Sequence, residues 1–96
     1  MARQVNYRLE FKPSAAKALK RLPRDLQERI APRVSALAHN PLPDDVKLLK
    51  GKDKLYRIRV GDIRIVYTII KDRVTILVLA IAKREDIYRE LRRLNP

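Results

Sequence analysis

Cysteine is absent from this chain of 96 residues, and histidine occurs once, at His39. The lack of cysteine excludes disulfide bonds, thiolate metal sites and a cysteine nucleophile. A lone histidine argues against a ribonuclease pair of two histidines or of histidine and glutamate. We interpret His39 as a surface residue that compensates the dipole near a helix C-terminus. The chain has only two glycines. It shows no glycine-rich phosphate loop and no cluster of carboxylates for magnesium. We therefore expect no metal and no cofactor.

Long apolar segments are also missing. No apolar run approaches the roughly 18 residues that a membrane-spanning helix requires. The first residues, MARQVNYRLEF, lack the apolar stretch of a secretory signal, so the expected location is cytoplasmic.

Positive charge is what the chain has in excess, with 23 Lys and Arg against 11 Asp and Glu and a formal net charge of +12. Such a surplus favours polyanionic partners, because each phosphate contact releases condensed counterions. An acidic protein, an anionic membrane surface and a merely solubilising surface remain open as alternatives.

The apolar pattern predicts a single α+β domain over residues 1–96, with a small and mostly antiparallel sheet in the order β-α-α-β-β-β-α. The first two helices should pack on one face of this sheet. The predicted strands are 5–11, 55–60, 63–70 and 74–82, and the predicted helices are 13–22, 26–37 and 86–94. The last strand, VTILVLAIA, is nearly all apolar and should be central. Pro32 should kink the second helix, and Leu48 and Leu49 should tuck onto the core.

The segment YRIRVGDIRIVY (56–67) predicts a β-hairpin whose two-residue turn is Gly61-Asp62. In this register Arg59 lies opposite Arg64, and Arg57 shares their face. Like charges opposed across a ladder repel each other. The arrangement therefore predicts a site that cradles an anion, with phosphate the expected ligand. A solvated sheet face paired with distant acids is the alternative interpretation.

The predicted strand 74–82 pairs with strand 63–70, and the length of the turn between them decides which of its residues share the arginine face. A turn at Lys71-Asp72 adds Leu77, Leu79 and Ile81 to the arginine face, with Lys83 and Arg84 at the end of the strand. A three-residue turn reverses that alternation.

Tyr88 follows the charged segment KRED and has two interpretations. It either stacks on a base or donates a proton, or it packs the last helix against the sheet.

The motifs LYRIRVGDIRIVYTI, VTILVLAIAKREDIYREL, KLLKG and AAKALKRLP together resemble the RelE/ParE superfamily of bacterial and archaeal type II toxins. The resemblance spans nearly the whole chain and implies a RelE-like fold. In that superfamily the RelE branch cleaves messenger RNA in the ribosomal A site, and the ParE branch poisons DNA gyrase. Both are silenced by an antitoxin, which the charge of this chain predicts to be acidic.

The resemblance also implies roles for individual residues. The positions described as catalytic in the RelE branch correspond to Arg57, Arg59, Arg64, Arg84 and Tyr88. They imply that the 2′-hydroxyl of the RNA attacks the adjacent phosphate, leaving a 2′,3′-cyclic phosphate and a 5′-hydroxyl. By the same resemblance, Lys50 and Lys83 are expected to bind RNA.

All five catalytic positions hold a compatible residue, which favours the RelE branch over a ParE-like gyrase inhibitor. The best-described members have lysines where this chain has Arg57 and Arg59. Arginine is a poor general base because its pKa exceeds about 12, so the sequence does not identify the proton acceptor. Ile63 stands where an aromatic residue is common, and Ala82-Lys83 where a glycine and a basic residue are usual.

Overall fold

The computed structural model describes residues 6–49 and 54–94, which form one sheet with helices on both faces. The strands are β1 (Arg8–Phe11), β2 (Lys47–Leu49), β3 (Leu55–Val60), β4 (Ile63–Ile70) and β5 (Thr75–Lys83). The helices are α1 (Pro13–Arg21), α2 (Arg24–Leu37) and α3 (Ile87–Leu94). The predicted order of elements is confirmed, except that β2 is an additional short strand. None of these helices has the length and hydropathy needed to cross a membrane.

The strands lie side by side in the order β1-β5-β4-β3-β2. Only β1 and β5 run parallel, and the other neighbouring pairs are antiparallel. The prediction of an α+β fold with a mostly antiparallel sheet is therefore confirmed. The apolar strand β5 lies between β1 and β4, so its predicted interior position is confirmed as well.

The sheet is covered by two apolar layers of different size. The larger layer packs α1 and α2 against one face. Its buried members are Ala15, Ile30, Val34, Leu37, Ile58, Val60, Ile63, Ile65, Tyr67, Ile76, Val78 and Ile81. The smaller layer packs α3 against the other face through Val66, Ala80 and Ile87. Because the adjacent residues Ile65 and Val66 are both fully buried, β4 is covered on both sides.

Both N-terminal helices begin at or next to a proline, and the short connection between them contains Pro23, the N-cap of α2. Pro13 occupies the start of α1, where its missing N–H costs no helical hydrogen bond. After α1, the Gln27 side-chain amide donates hydrogen bonds to the carbonyls of Leu22 at 2.8 Å and Lys20 at 3.2 Å. A residue of α2 thus satisfies carbonyls that the end of α1 leaves without a helical partner.

Helix α2 continues through Pro32, as the apolar spacing predicts. A proline inside a helix costs about 3 kcal/mol. Ile30, Val34 and Leu37 are buried on the core side of α2, and each contributes roughly 1.5–3 kcal/mol. Burial along the helix therefore outweighs the penalty, while Pro32 itself lies on the exposed side.

The prediction that Leu48 tucks onto the core is wrong, because Leu48 is 64% exposed. It belongs to the edge strand β2, where it lies opposite Tyr56 of β3. Its neighbour Leu49 is partly buried against the smaller apolar layer. Alternation along an edge strand sends neighbouring side chains to opposite faces, and only one of these faces is covered at this edge.

The turn between β4 and β5 is longer than the two residues considered above. Lys71–Arg73 form a 3₁₀ turn, and Val74 follows in a left-handed conformation with φ 49° and ψ 54°. Strand β5 therefore begins at Thr75, which pairs with Ile70. A left-handed conformation is costly for a β-branched residue, which is why the sequence pattern assigned Val74 to the strand.

Candidate functional site

The hairpin of β3 and β4 has the predicted register. Gly61 opens the turn with φ 58°, whereas Asp62 keeps a negative φ, the combination expected for a primed two-residue turn with glycine first. Arg59 lies opposite Arg64, and Arg57 lies opposite Val66. The predicted placement of the three arginines on one face is thus confirmed.

The opposite face of the same hairpin is apolar and anchors it. Ile58 and Ile65 are opposed and fully buried. The rings of Tyr56 and Tyr67 stack with centroids 5.7 Å apart, and the Tyr67 hydroxyl donates a hydrogen bond to the carbonyl of Pro41. These contacts fix the apolar face of the hairpin against the core, which leaves the arginines on the opposite face.

Arg64 is the most buried of the arginines in this cluster, with only 7% of its surface exposed. Burial lowers the pKa of Arg64, and the charges of Arg57, Arg59 and Arg84 lower it further, while Asp62 raises it. The guanidinium groups of Arg57, Arg59 and Arg84 are therefore close enough to that of Arg64 to repel it. We call Arg57, Arg59, Arg64 and Arg84 the arginine cluster.

The cluster carries charge that nearby acids do not neutralise. In residues 6–49 and 54–94, no carboxylate oxygen lies within 4.0 Å of any of its guanidinium nitrogens. The Nε atom of Arg57 is buried and makes no hydrogen bond with the described residues. Leaving such a donor unsatisfied costs about 1–3 kcal/mol. A bound anion with several oxygen acceptors would remove both costs.

Arg84 reaches the cluster through the backbone. Its N–H donates a hydrogen bond of 3.0 Å to the carbonyl of Asp62 in the hairpin turn. The end of β5 is thereby tied to the turn beside Arg64. Lys83, the preceding residue, pairs with Ile63. Residues directly opposed share a face, so Lys83 starts from the side away from the arginine cluster, although its side chain is exposed.

The floor of the arginine face is built from small residues of β5. Ala82 lies opposite Arg64, and Ala80 opposite Val66. A bulge between Val66 and Tyr67 then shifts the register. The expectation that Ile81 joins this face is wrong: it lies opposite Ile65 and belongs to the larger apolar layer. The bulge changed the alternation, because it shifts the pairing by one residue, whereas a four-residue turn keeps the alternation that a two-residue turn gives.

Tyr88 is 61% exposed, whereas its neighbour Ile87 is 2% exposed. Helix α3 thus packs through Ile87 and the partly buried Leu91, and the interpretation of Tyr88 as the packing residue is wrong. Its ring is free to stack on a base. Lys50, the other residue expected to bind RNA, lies outside the described residues.

Two further residues at this site were missed by the sequence analysis. A pocket of about 410 Å³ opens at the sheet edge, lined by Asp45, Lys47, Arg57, Arg59 and Gly61. Lys47 lies directly opposite Arg57 in the pairing of β2 with β3. Asp45 forms an ion pair with Arg33 of α2. Neither was found because the three-residue strand β2 is too short to show periodicity.

A mixed sheet with two helices on one face and an unneutralised arginine cluster on the other defines a small, basic protein with a candidate anion-binding surface. A family model described as the ParE toxin of the type II toxin–antitoxin system parDE matches residues 9–88. The toxin named RelE1 of Methanocaldococcus jannaschii is 32% identical over 88 residues, which cover 88% of this chain and 98% of that one.

Solved structures show the same relationship. The archaeal RelE–RelB complex from Pyrococcus horikoshii contains a chain with 32% identity and a TM-score of 0.74, covering 83% of this chain and 97% of that one. A mutant of the Escherichia coli toxin RelE in the free state has a TM-score of 0.79 at 23% identity, covering 96% and 100%, and shares the fold. The chain therefore belongs to the RelE/ParE superfamily of type II toxins.

Proposed function

We propose that the chain is a ribosome-dependent endoribonuclease that cleaves messenger RNA in the A site. The observation that carries this proposal is Arg64, a buried guanidinium that faces three other arginines and has no carboxylate within ion-pair distance in the described part of the chain. Such a site binds an anion that has several oxygens, and it binds that anion more tightly as negative charge develops on those oxygens. A phosphodiester that passes through a pentacovalent phosphorane is an anion of this kind.

The cluster suits catalysis by charge stabilisation. The 2′-hydroxyl of the RNA attacks the adjacent phosphate, and the bond from phosphorus to the 5′-oxygen breaks. Arg59, Arg64 and Arg84 stabilise the phosphorane and the negative charge that develops on the leaving oxygen, and Arg57 holds a phosphate oxygen. Preorganised donors of this type typically contribute about 10²–10³-fold each. Tyr88 stacks on the RNA and orients it, since its ring is exposed.

The ribosome supplies what this small chain lacks. The pocket beside the cluster has a volume of about 410 Å³, and it contacts too little of an RNA strand to hold that strand in an attack geometry. Orientation of the reacting groups is worth several orders of magnitude in rate. A messenger RNA already held in the A site brings that orientation with it, in the cytoplasm where translation takes place.

The test is cleavage of messenger RNA on purified translating ribosomes, followed by primer extension across the A-site codon. We expect the wild-type chain to cut this RNA and to leave free RNA almost intact. Arg64→Ala should reduce the single-turnover rate by at least about 100-fold while the protein stays folded. Arg8→Ala is the matched control, because Arg8 is an exposed arginine on the far edge strand β1. Full activity of Arg64→Ala would remove the proposed role.

A ParE-like inhibitor of DNA gyrase is the second candidate, favoured by the description of the family model that matches residues 9–88. It would bind its target without cutting RNA. In that case expression should produce gyrase-dependent DNA breaks and leave transcripts intact. Truncation of α3 should then impair the toxin more than Arg64→Ala does.

We further propose that an acidic antitoxin binds the chain in a heteromeric complex. The proposal rests on the net charge of +12 and on the relatives of this fold that were solved in complex with RelB. An acidic segment laid across the arginine cluster would supply the missing carboxylates. The affinity should then fall steeply with salt, whereas a complex held mainly by apolar contacts would be nearly insensitive to it.

A further inference from the structure

The arginine cluster lacks a group that can accept the proton of the attacking 2′-hydroxyl. Arginine remains protonated in proteins, so Arg57 and Arg59 are unsuited to this role. His39 is exposed beyond the end of α2, and it does not line the pocket beside the cluster. The base must therefore come from another residue, the substrate or the ribosome.

A carboxylate stands in the pocket beside the cluster. Asp45 lines the pocket together with Lys47, Arg57, Arg59 and Gly61. Pairing of Lys47 with Arg57 and of Leu49 with Leu55 brings the chain segment before β2 alongside Arg59. Asp45 lies in the turn two residues before Lys47, and it borders the pocket where that turn meets the sheet edge.

The ion pair with Arg33 holds the Asp45 carboxylate in place. Arg33 contacts the carboxylate from α2, while Lys47, Arg57 and Arg59 line the pocket from the sheet. The side chain of Asp45 remains 50% exposed, so an oxygen is accessible to a substrate. The surrounding cations also offset the repulsion between this carboxylate and a phosphate in the same pocket.

The other acids near the cluster are placed less well. Asp62 lies in the hairpin turn and is exposed, and Glu85 is exposed after β5. Asp86 has its Oδ1 atom 3.7 Å from a guanidinium nitrogen of Arg89. None of the three lines the pocket.

We propose that Asp45 is the general base of the RNA cleavage reaction, which rests on the function proposed above. The Asp45 carboxylate takes the proton from the 2′-hydroxyl, and the freed electron pair forms the bond from the 2′-oxygen to phosphorus. The bond from phosphorus to the 5′-oxygen breaks, and its electron pair goes to that oxygen. The 5′-oxygen takes a proton from a neighbouring water, and the proton on Asp45 returns to the hydroxide so formed.

The test compares three chains in single-turnover cleavage on programmed ribosomes at pH 6.5 to 8.5. Asp45→Asn keeps the shape of the side chain but accepts no proton. Since a general base typically contributes about 10²–10⁴-fold, we expect its rate to fall at least about 100-fold. Arg33→Ala breaks the same ion pair but keeps the carboxylate, and we expect it to cut within about tenfold of the wild type.

The pH dependence separates proton transfer from a structural role. With Asp45 taking the proton, the wild-type reaction does not need hydroxide, and its rate should change little across this range. In Asp45→Asn hydroxide must replace the base, and the logarithm of the rate should rise by about one for each pH unit. Cleavage by Asp45→Asn within threefold of the wild-type rate would overturn the assignment. So would equal losses in Asp45→Asn and Arg33→Ala with unchanged pH slopes.

Failure of the two proposals looks different in this experiment. A wild-type chain that leaves the ribosome-bound RNA intact overturns the nuclease and the role of Asp45 with it. A wild-type chain and an Asp45→Asn chain that both cut efficiently overturn the role of Asp45 alone.

Discussion

Replacement of Arg64 by methionine should stabilise the folded chain. Methionine matches the length of the aliphatic part of arginine and removes the charge, and a buried charge replaced by an apolar residue of similar volume is often neutral or stabilising. Arg64 is buried and repelled by Arg57, Arg59 and Arg84. The variant should therefore lose activity and gain stability together, as expected where function maintains an unfavourable arrangement.

The size of the gain follows from the charges. Two unit charges about 6 Å apart repel by roughly 0.7 kcal/mol in water and by about 3 kcal/mol at an effective dielectric of 20. Arg59 lies directly opposite Arg64 and Arg57 lies diagonally from it. With the weaker value for each of the three neighbours, their repulsion destabilises the fold by up to about 2 kcal/mol. For a domain of this size that corresponds to a rise in Tm of roughly 8–16 °C.

The assay is urea unfolding followed by circular dichroism, at about 20 mM and about 1 M salt. The Debye length falls to about 3 Å at 1 M, so most of the gain should disappear at high salt. Arg8→Met on the edge strand β1 serves as the control and should stay within about 0.5 kcal/mol of the wild type. If Arg64→Met is less stable than the wild type by more than about 1 kcal/mol at low salt, the argument that Arg64 is an unneutralised buried charge is refuted.

Two further predictions concern stability. Burial raises the pKa of Tyr67, with smaller contributions from Tyr56 and Asp45, while Arg33 lowers it. Above about pH 10 the unfolded chain loses the phenolic proton, whereas the folded chain keeps it. The free energy of unfolding therefore falls as pH rises, by up to about 1.4 kcal/mol per pH unit. Tyr67→Phe should lower the free energy of unfolding by about 1 kcal/mol at neutral pH, because it removes the hydrogen bond to Pro41. Its free energy of unfolding should also fall less steeply than that of the wild type from pH 9 to 11, as measured by denaturant unfolding. Equally steep falls in both chains would contradict this. Val74 has a left-handed backbone with φ 49° and is exposed. Val74→Asn should therefore raise the free energy of unfolding by about 1 kcal/mol, because asparagine adopts this conformation at lower cost. An unchanged or lower urea midpoint would show that the valine is not strained there.

The hairpin was predictable because its sequence contains both of its determinants. Gly61-Asp62 specifies the turn length, and alternating apolar residues specify which side faces the core. Once these agree, the positions of Arg59 and Arg64 follow without knowledge of the rest of the chain. The four-residue turn at Lys71–Val74 carried no such signal, since it contains no glycine and ends in a β-branched residue. The alternation assigned to Ile81 was wrong because the bulge between Val66 and Tyr67, which the sequence does not signal either, shifts the pairing by one residue.

The edge of the site was not predictable from local pattern. Strand β2 has only three residues, and it pairs with β3 across the segment between them. Asp45 and Lys47 reach the pocket through that non-local pairing, and Arg33 reaches Asp45 from α2. A contact between two separate segments does not alter the spacing of apolar residues in either segment, so the sequence pattern does not reveal it. The catalytic roles came from resemblance to the superfamily, and they stay proposals.

The position of the arginine cluster depends on the number of residues in the Gly61-Asp62 turn rather than on any one chemical group in it. One extra residue at that position, with the downstream pairing unchanged, would carry Arg59 and its neighbours in β3 to the opposite side of the sheet. Ile58 would then meet solvent while guanidinium groups entered the apolar layer under α2. Substitutions in the turn can be gradual in their effect, but an insertion there would be all or nothing.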